Sequence, residues 1–267
     1  MSRLARRLDN KQQLCYLFSF LFSLFSVTFL MYTFFMEKHK NSYTWLKIIL
    51  IGIIAAVANN LIILPSVDFI SGLYLDTIFT AAAAFAGGLV SGLISAVLTT
   101  LFYGLEYTFR TGTPYFGAYY LYMLCSIAVA LLVRLFARFF PNECDNVRVI
   151  GGRDEPYNGK SKQGSFFIML AILSFVMCIV VSILGGLISA GITTVTGVID
   201  QSGPPETFFR LAFIEQGFNL TGSEILARFP VNIADKTIAV FVGYGIALLT
   251  QKIVKRKKEQ GAISREQ

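Results

Sequence analysis

Histidine is nearly absent from this chain: His39 is the only one in 267 residues. Most acid–base schemes use histidine as the proton-transfer group, so its scarcity weighs against an enzyme. Cysteine is sparse too. Cys15, Cys125, Cys144 and Cys178 are scattered, with no Cys-x-x-Cys pair. The usual zinc arrangements are therefore missing. Three of these cysteines lie in apolar runs and read as small core residues. His39 sits between Lys38 and Lys40 in a polar connector, as a solvated residue would. There is no Gly-x-Ser-x-Gly, no His-Glu-x-x-His and no phosphate loop ending in Lys-Ser/Thr. No catalysis, cofactor or metal is expected. Charged residues make up only 15% of the chain, while 55% is hydrophobic. A soluble domain of this size could not hide that much apolar surface. No alternating ten-residue pattern points to a membrane barrel.

What the chain does have is long apolar runs. Seven stand out: Leu14–Met36, Leu46–Leu64, Gly72–Ala86, Leu89–Tyr107, Tyr115–Phe140, Ser165–Val195 and Phe229–Thr250. They predict an all-α fold, a polytopic transmembrane helical bundle of about six core helices plus an extra N-terminal helix. Residues 1–45 form the basic N-terminal segment and extra helix, 46–258 the core membrane domain and 259–267 a polar tail. The third run is about 22 Å long at helical rise, so it must be tilted, thinned around or partly buried in protein. Gly72–Tyr107 is about 54 Å as a straight helix, too long for one span, and is read as two helices. Leu14–Met36 follows a basic start but is too long for a signal-peptide core. It runs into Glu37-Lys38-His39-Lys40 where a cleavage site would lie, and is read as a retained helix.

The net charge of +7 does not indicate nucleic acid, because the basic residues flank the apolar runs. Arg134–Lys162 holds six basic and four acidic residues, and Lys252, Lys255, Arg256, Lys257 and Lys258 crowd the tail. Asp200–Arg228 has four acidic and two basic residues. These counts place Pro141–Gly164 and the C-terminus in the cytoplasm, against anionic lipid headgroups, and Asp200–Arg228 outside. The expected home is the cell membrane. The same topology puts Pro65–Ser71 outside and leaves the first helix's orientation open. Within the outer connector, Glu206–Gly217 reads as an amphipathic helix at the interface, either a lid over a pocket or a structured loop.

An ionisable group at membrane depth is expensive, and its default reading is functional. Asn59 and Asn60 close the second run, Asp76 opens the third and Glu106 closes the fourth. Asn232, Asp235 and Lys236 lie in the first turns of the last. All fall toward the outer half of the membrane. Together they predict a binding cavity open to the outside, with Asn59, Asn60, Asp76, Glu106, Asn232 and Asp235 as polar contacts. The bland alternative is that each satisfies a helix end. Tyr115, Tyr119 and Tyr122 share a helical face and form either an aromatic wall of that cavity or an interfacial belt. Gly52 and Ala56 form a small-residue ridge that permits close helix approach, within the fold or against a partner.

Leu75-Asp76-Thr77-Ile78 through Ala86-Gly87-Gly88-Leu-Val-Ser-Gly92 resembles the short helix and turn of the substrate-binding S components of energy-coupling-factor (ECF) transporters. Gly88 stands where that family often has proline. Phe229-Pro230-Val-Asn-Ile-Ala-Asp235-Lys236 is similar to its last helix, and the Gly52/Ala56 ridge to a motif that contacts the transmembrane coupling subunit. The resemblance covers about Leu46–Lys258; the helix before Leu46 departs from the six-helix pattern. It implies a subunit that captures a small vitamin-like molecule at the outer face. ATP-driven import would then depend on a coupling subunit and two ATPase subunits, since this chain has no nucleotide site. The Asp76/Gly-Gly region also resembles multi-helix membrane sensor domains, which would signal here to a separate output protein. A structural membrane protein without a ligand is a third reading.

Overall fold

The computed structural model describes residues 42–63, 73–112, 114–115, 117–141, 144, 147–149, 165–197 and 205–266. The expected helix Leu14–Met36, the connector Pro65–Ser71 and most of Pro141–Gly164 lie outside these residues. Seven α-helices occur among the described residues, and no strand. They are α1 (Ser42–Ala58), α2 (Ile78–Gly87), α3 (Leu89–Thr111), α4 (Met123–Phe139), α5 (Ser165–Thr196), α6 (Pro205–Glu215) and α7 (Leu220–Glu266). A π-helical turn, Asn59–Ile63, ends α1, and a 3-10 turn, Gly117–Tyr122, leads into α4. Five segments are long and apolar enough to cross a membrane, built on α1, α3, α4, α5 and α7. The chain is an all-α polytopic bundle.

The bundle is organised around its shortest apolar helix. In α2, every residue from Ile78 to Ala86 except Phe79 is buried. A helix apolar on all sides belongs in an interior, and four consecutive alanines let neighbours approach on each side. At ten residues it rises about 15 Å, half a bilayer. Of the three options for the third apolar run, the structure takes burial inside protein. Gly88 ends α2 with φ 86, a conformation open to glycine and closed to proline. The turn therefore differs from a proline turn at the position where the resembling family often carries one. The chain then doubles back: a Cβ on Gly92 would meet Ala84 of α2 and Ala130 of α4.

Outside this centre the polarity is that of a body in lipid. Leu50, Ile54 and Leu61 line an exposed stripe of α1, Leu101, Leu105 and Phe109 one of α3, and Leu131, Leu135 and Phe139 one of α4. Stripes of this length would aggregate in water and suit a hydrocarbon surround. The opposite stripe of α4 (Val129, Val133, Phe136) packs with Met169, Leu173 and Met177 of α5 in the core.

The last helix departs from its expected boundaries. α7 starts at Leu220, nine residues before Phe229, and continues 47 residues through Pro230. Proline lacks an N–H and usually marks a boundary. Here tertiary packing overrides it: a Cβ on Gly186 of α5 would strike the Ile225 backbone, so the two helices touch main chain to main chain just before the proline. The helix expected over Glu206–Gly217 does form, as α6.

Candidate functional site

The polar residues foreseen from sequence separate into an uncharged seam, a buried charge cluster and an aromatic ledge. The seam joins α1, α2 and α3. Asn59 Nδ2 donates to Thr80 Oγ1 and Thr99 Oγ1, both at 3.1 Å, and Asn59 Oδ1 accepts from the Phe79 N–H. Asn60 Nδ2 donates to the Ala56 and Thr99 carbonyls, and Thr80 pairs with Ser95. The Asn59 amide is fully occupied in tying three helices together. Gly52 and Ala56 belong to this seam too. Both are buried, and a Cβ on Gly52 would meet Ile94 and the Ser91 carbonyl of α3. The chain's own third helix covers the ridge, so the sites offered as a partner interface are internal contacts here.

The charge cluster lies where α7 passes the foot of α2. Lys236 is buried, with Nζ 2.6 Å from Asp235 Oδ2, 3.1 Å from Thr77 Oγ1, to which it donates, and 3.9 Å from Asp76 Oδ1. Asp235 Oδ1 accepts the Leu75 N–H at 2.7 Å. One turn before, Asn232 donates to Ser182 of α5. The structure thus brings Asp76, Asn232 and Asp235 into one region, as expected. Lys236 lies sixteen residues before Lys252, about 24 Å along the helix and so near the far side of a hydrocarbon core of about 30 Å.

A second set of charges closes the same end. Arg228 of α7 holds Glu206 of α6 at 3.4 Å, and Tyr74 donates to Glu206 Oε2 at 2.6 Å. Burial pushes the Glu206 carboxyl above its ordinary range, against the opposing pull of Arg228 and the Tyr74 hydroxyl. Arg210 pairs with Glu224 at 3.0 Å, both buried. α6 is therefore tied down by two ion pairs to the start of α7. Arg228 also donates to the Tyr122 hydroxyl and lies 5.4 Å from that ring's centre. From Tyr122 an aromatic ledge runs outward. Tyr119 stacks on Tyr122, and Tyr115 touches Tyr103, Tyr107, Tyr119 and Tyr120 edge-on or tilted. Of the three tyrosines expected as a wall, Tyr122 meets the charges, while Tyr115 and Tyr119 pack on other tyrosine rings. Glu106 is exposed on α3 and stays outside the cluster.

Cys125 lies one turn before Val129 on the buried stripe of α4, yet it is only half-buried. Asp76 keeps 37% of its side chain accessible, although Leu75, Thr77, Asp235 and Lys236 around it are buried. The two charge sets are made up of Asp76 before α2, Asp235 and Lys236 on one side and Tyr74, Tyr122, Glu206 and Arg228 on the other. Sequence reasoning passed over Tyr74, Glu206 and Arg228 as site residues. Opposite charges spaced across the outer connector were the available signal, but nothing local pairs Glu206 with Arg228. Among the described residues no group of His, Cys, Asp and Glu could hold a metal ion. Comparison with family models, curated proteins and solved structures finds no match to this chain.

Proposed function

We propose that this chain is the membrane-embedded substrate-binding subunit of an ECF-type uptake transporter, which captures a small vitamin-like molecule at the outer face. The observation that carries this reading is the set of charged side chains gathered at one end of the bundle, before α2 and on α6 and α7, with Asp76 only half-buried among them. A body built only to fill a membrane has no use for seven buried or half-buried charges at one depth, given what each costs there. A few polar groups placed close together are among the usual makings of a small-molecule site. Binding, not catalysis, is the proposed chemistry. Energy for import comes from partners, a transmembrane coupling subunit and two ATPase subunits. The chain sits in the plasma membrane with its basic C-terminus in the cytoplasm and α6 outside.

The test is affinity purification of the tagged full chain from its native membranes, followed by mass spectrometry and uptake assays. Recovery of a coupling protein with ATPases in stoichiometric amounts is the expected result. Recovery of a kinase or cyclase instead, or of no membrane or ATPase partner at all, overturns the transporter reading.

A further inference from the structure

A groove of about 370 Å³ lies between α5 and α7, lined by Phe166 and Phe167 of α5 and by Phe241, Tyr244, Gly245 and Leu248 of α7. Phe166 stacks on Tyr244 at 5.8 Å and Phe167 on Phe241 at 6.5 Å, so rings from both helices fix its walls. Gly245 gives it depth. Glycine in a membrane helix ordinarily serves close packing, as Gly243 does against the Ile78 carbonyl. A Cβ on Gly245 would meet nothing within 4 Å, so no neighbour packs over this glycine. On α7 the lining positions 241, 244, 245 and 248 recur every three to four residues and share one helical face. Lys252 is the next residue on that face, about 6 Å beyond Leu248, and Lys255 and Arg256 follow one turn later. All three cations are exposed, and among the described residues none is held in an ion pair. From Phe241 to Lys252 the helix rises about 16 Å, close to the half-thickness of a hydrocarbon core of about 30 Å.

We propose that this groove holds an acyl chain of one anionic phospholipid, with the lipid's phosphate against Lys252 and with Lys255 and Arg256 beside it. An apolar trough one leaflet deep that ends in exposed cations matches a molecule with a hydrocarbon tail and an anionic head. Basic sites between membrane helices bind such headgroups. A zwitterionic lipid fits the trough but draws less from the cations. A partner helix is about 10–12 Å across and would rest on the rims instead of entering. The proposal concerns the end of α7 opposite the charge cluster and stands apart from the uptake reading.

Native mass spectrometry of the detergent-purified full chain tests this, with phosphatidylglycerol and phosphatidylcholine of identical acyl chains as probes. One lipid per chain should be retained, with phosphatidylglycerol preferred by about tenfold or more. Lys252→Gln should lower that preference by about fivefold. Gly245→Leu fills the groove and should cut retention of both lipids several-fold. Gly191→Leu adds the same side chain at an equally open glycine of α5 outside the groove and should change neither. Equal retention of the two lipids overturns the proposal, as does unchanged retention in Gly245→Leu. Displacement of the lipid by glycerophosphoglycerol, the headgroup without its chains, would make this a soluble phosphodiester site and also overturns it. So does a dimer that Gly245→Leu dissociates, since the groove is then an interface between copies. Should Gly245→Leu misfold, a phosphatidylglycerol carrying a diazirine on its acyl chain decides with the unmodified chain. Crosslinks are expected within residues 166–170 and 241–248; crosslinks spread evenly over the exposed stripes of α1, α3 and α4 overturn the proposal.

Discussion

Lys236 is the side chain on which the charge cluster turns. It sits between Asp235 and Asp76, so removing it leaves two carboxylates facing each other with no cation. Breaking a buried ion pair from one side costs about 3–5 kcal/mol. Lys236→Met is expected to destabilise the solubilised protein by that order, read as a loss of thermal unfolding temperature. Asp76→Asn removes the least-paired charge and should cost little stability while weakening ligand binding. Glu106→Gln is expected to leave both binding and stability unchanged, because Glu106 is exposed on α3 and touches none of the cluster. Titration calorimetry against the ligand, once it is known, separates the two carboxylates. Equal losses at Asp76 and Glu106 would move the site outward along the tyrosine ledge. Asn59 belongs to stability instead. Asn59→Ala takes the amide away from the Thr99 hydroxyl and the Phe79 N–H and leaves Thr80 with Ser95 alone, at about 1–3 kcal/mol for each buried group left unsatisfied.

At the scale of elements, two joints hold the bundle. One is the α1–α3 seam, where Gly52 lets Ile94 and the Ser91 carbonyl close in. Gly52→Leu forces these helices apart, and overpacking of this kind costs about 1–3 kcal/mol. The loss should appear as a lower unfolding temperature in the isolated chain, with no other protein present. A variant as stable as the parent that nonetheless fails to assemble with partners would return the ridge to an intermolecular role. The other joint is α6 on α7. Its two ion pairs, Glu206–Arg228 and Arg210–Glu224, hold an eleven-residue helix against the start of α7. Arg228→Met strips Glu206 of its cation and leaves that carboxylate buried, with only the Tyr74 hydroxyl to bond. Hydrogen exchange across residues 205–215 is expected to rise by about tenfold or more, since the lost pair had opposed local opening. Unchanged protection would show that apolar contacts alone seat α6.

For the molecule as a whole, orientation follows from charge. The cluster and α6 lie at one end, and α7 carries Lys252, Lys255 and Arg256 to the other. A cysteine placed at position 256 should react with membrane-impermeant reagents only in inside-out vesicles; labelling in right-side-out vesicles would invert the proposed topology. Much of this architecture was legible from sequence. Apolar runs of spanning length marked α1, α3, α4 and α5, because lipid demands a continuous apolar surface and a self-satisfied backbone. The glycine pair after four alanines marked the break between α2 and α3, because only glycine readily takes the backbone angle found at Gly88. The cost of a carboxylate in lipid singled out Asp76 and Asp235. Tertiary structure decided the rest. Whether a buried amide ties helices together or faces a ligand depends on which neighbours reach it, so Asn59 joined a seam that no periodicity could reveal. Glu206 and Arg228 lie far apart on two separate helices, and only the fold of α6 onto α7 makes them a pair. Pro230 lies inside one continuous helix, which α5 meets main chain to main chain at Gly186 and Ile225, a contact between residues far apart in sequence. Local pattern determines which segments enter the membrane; partners distant in sequence determine which of their polar groups are left to bind.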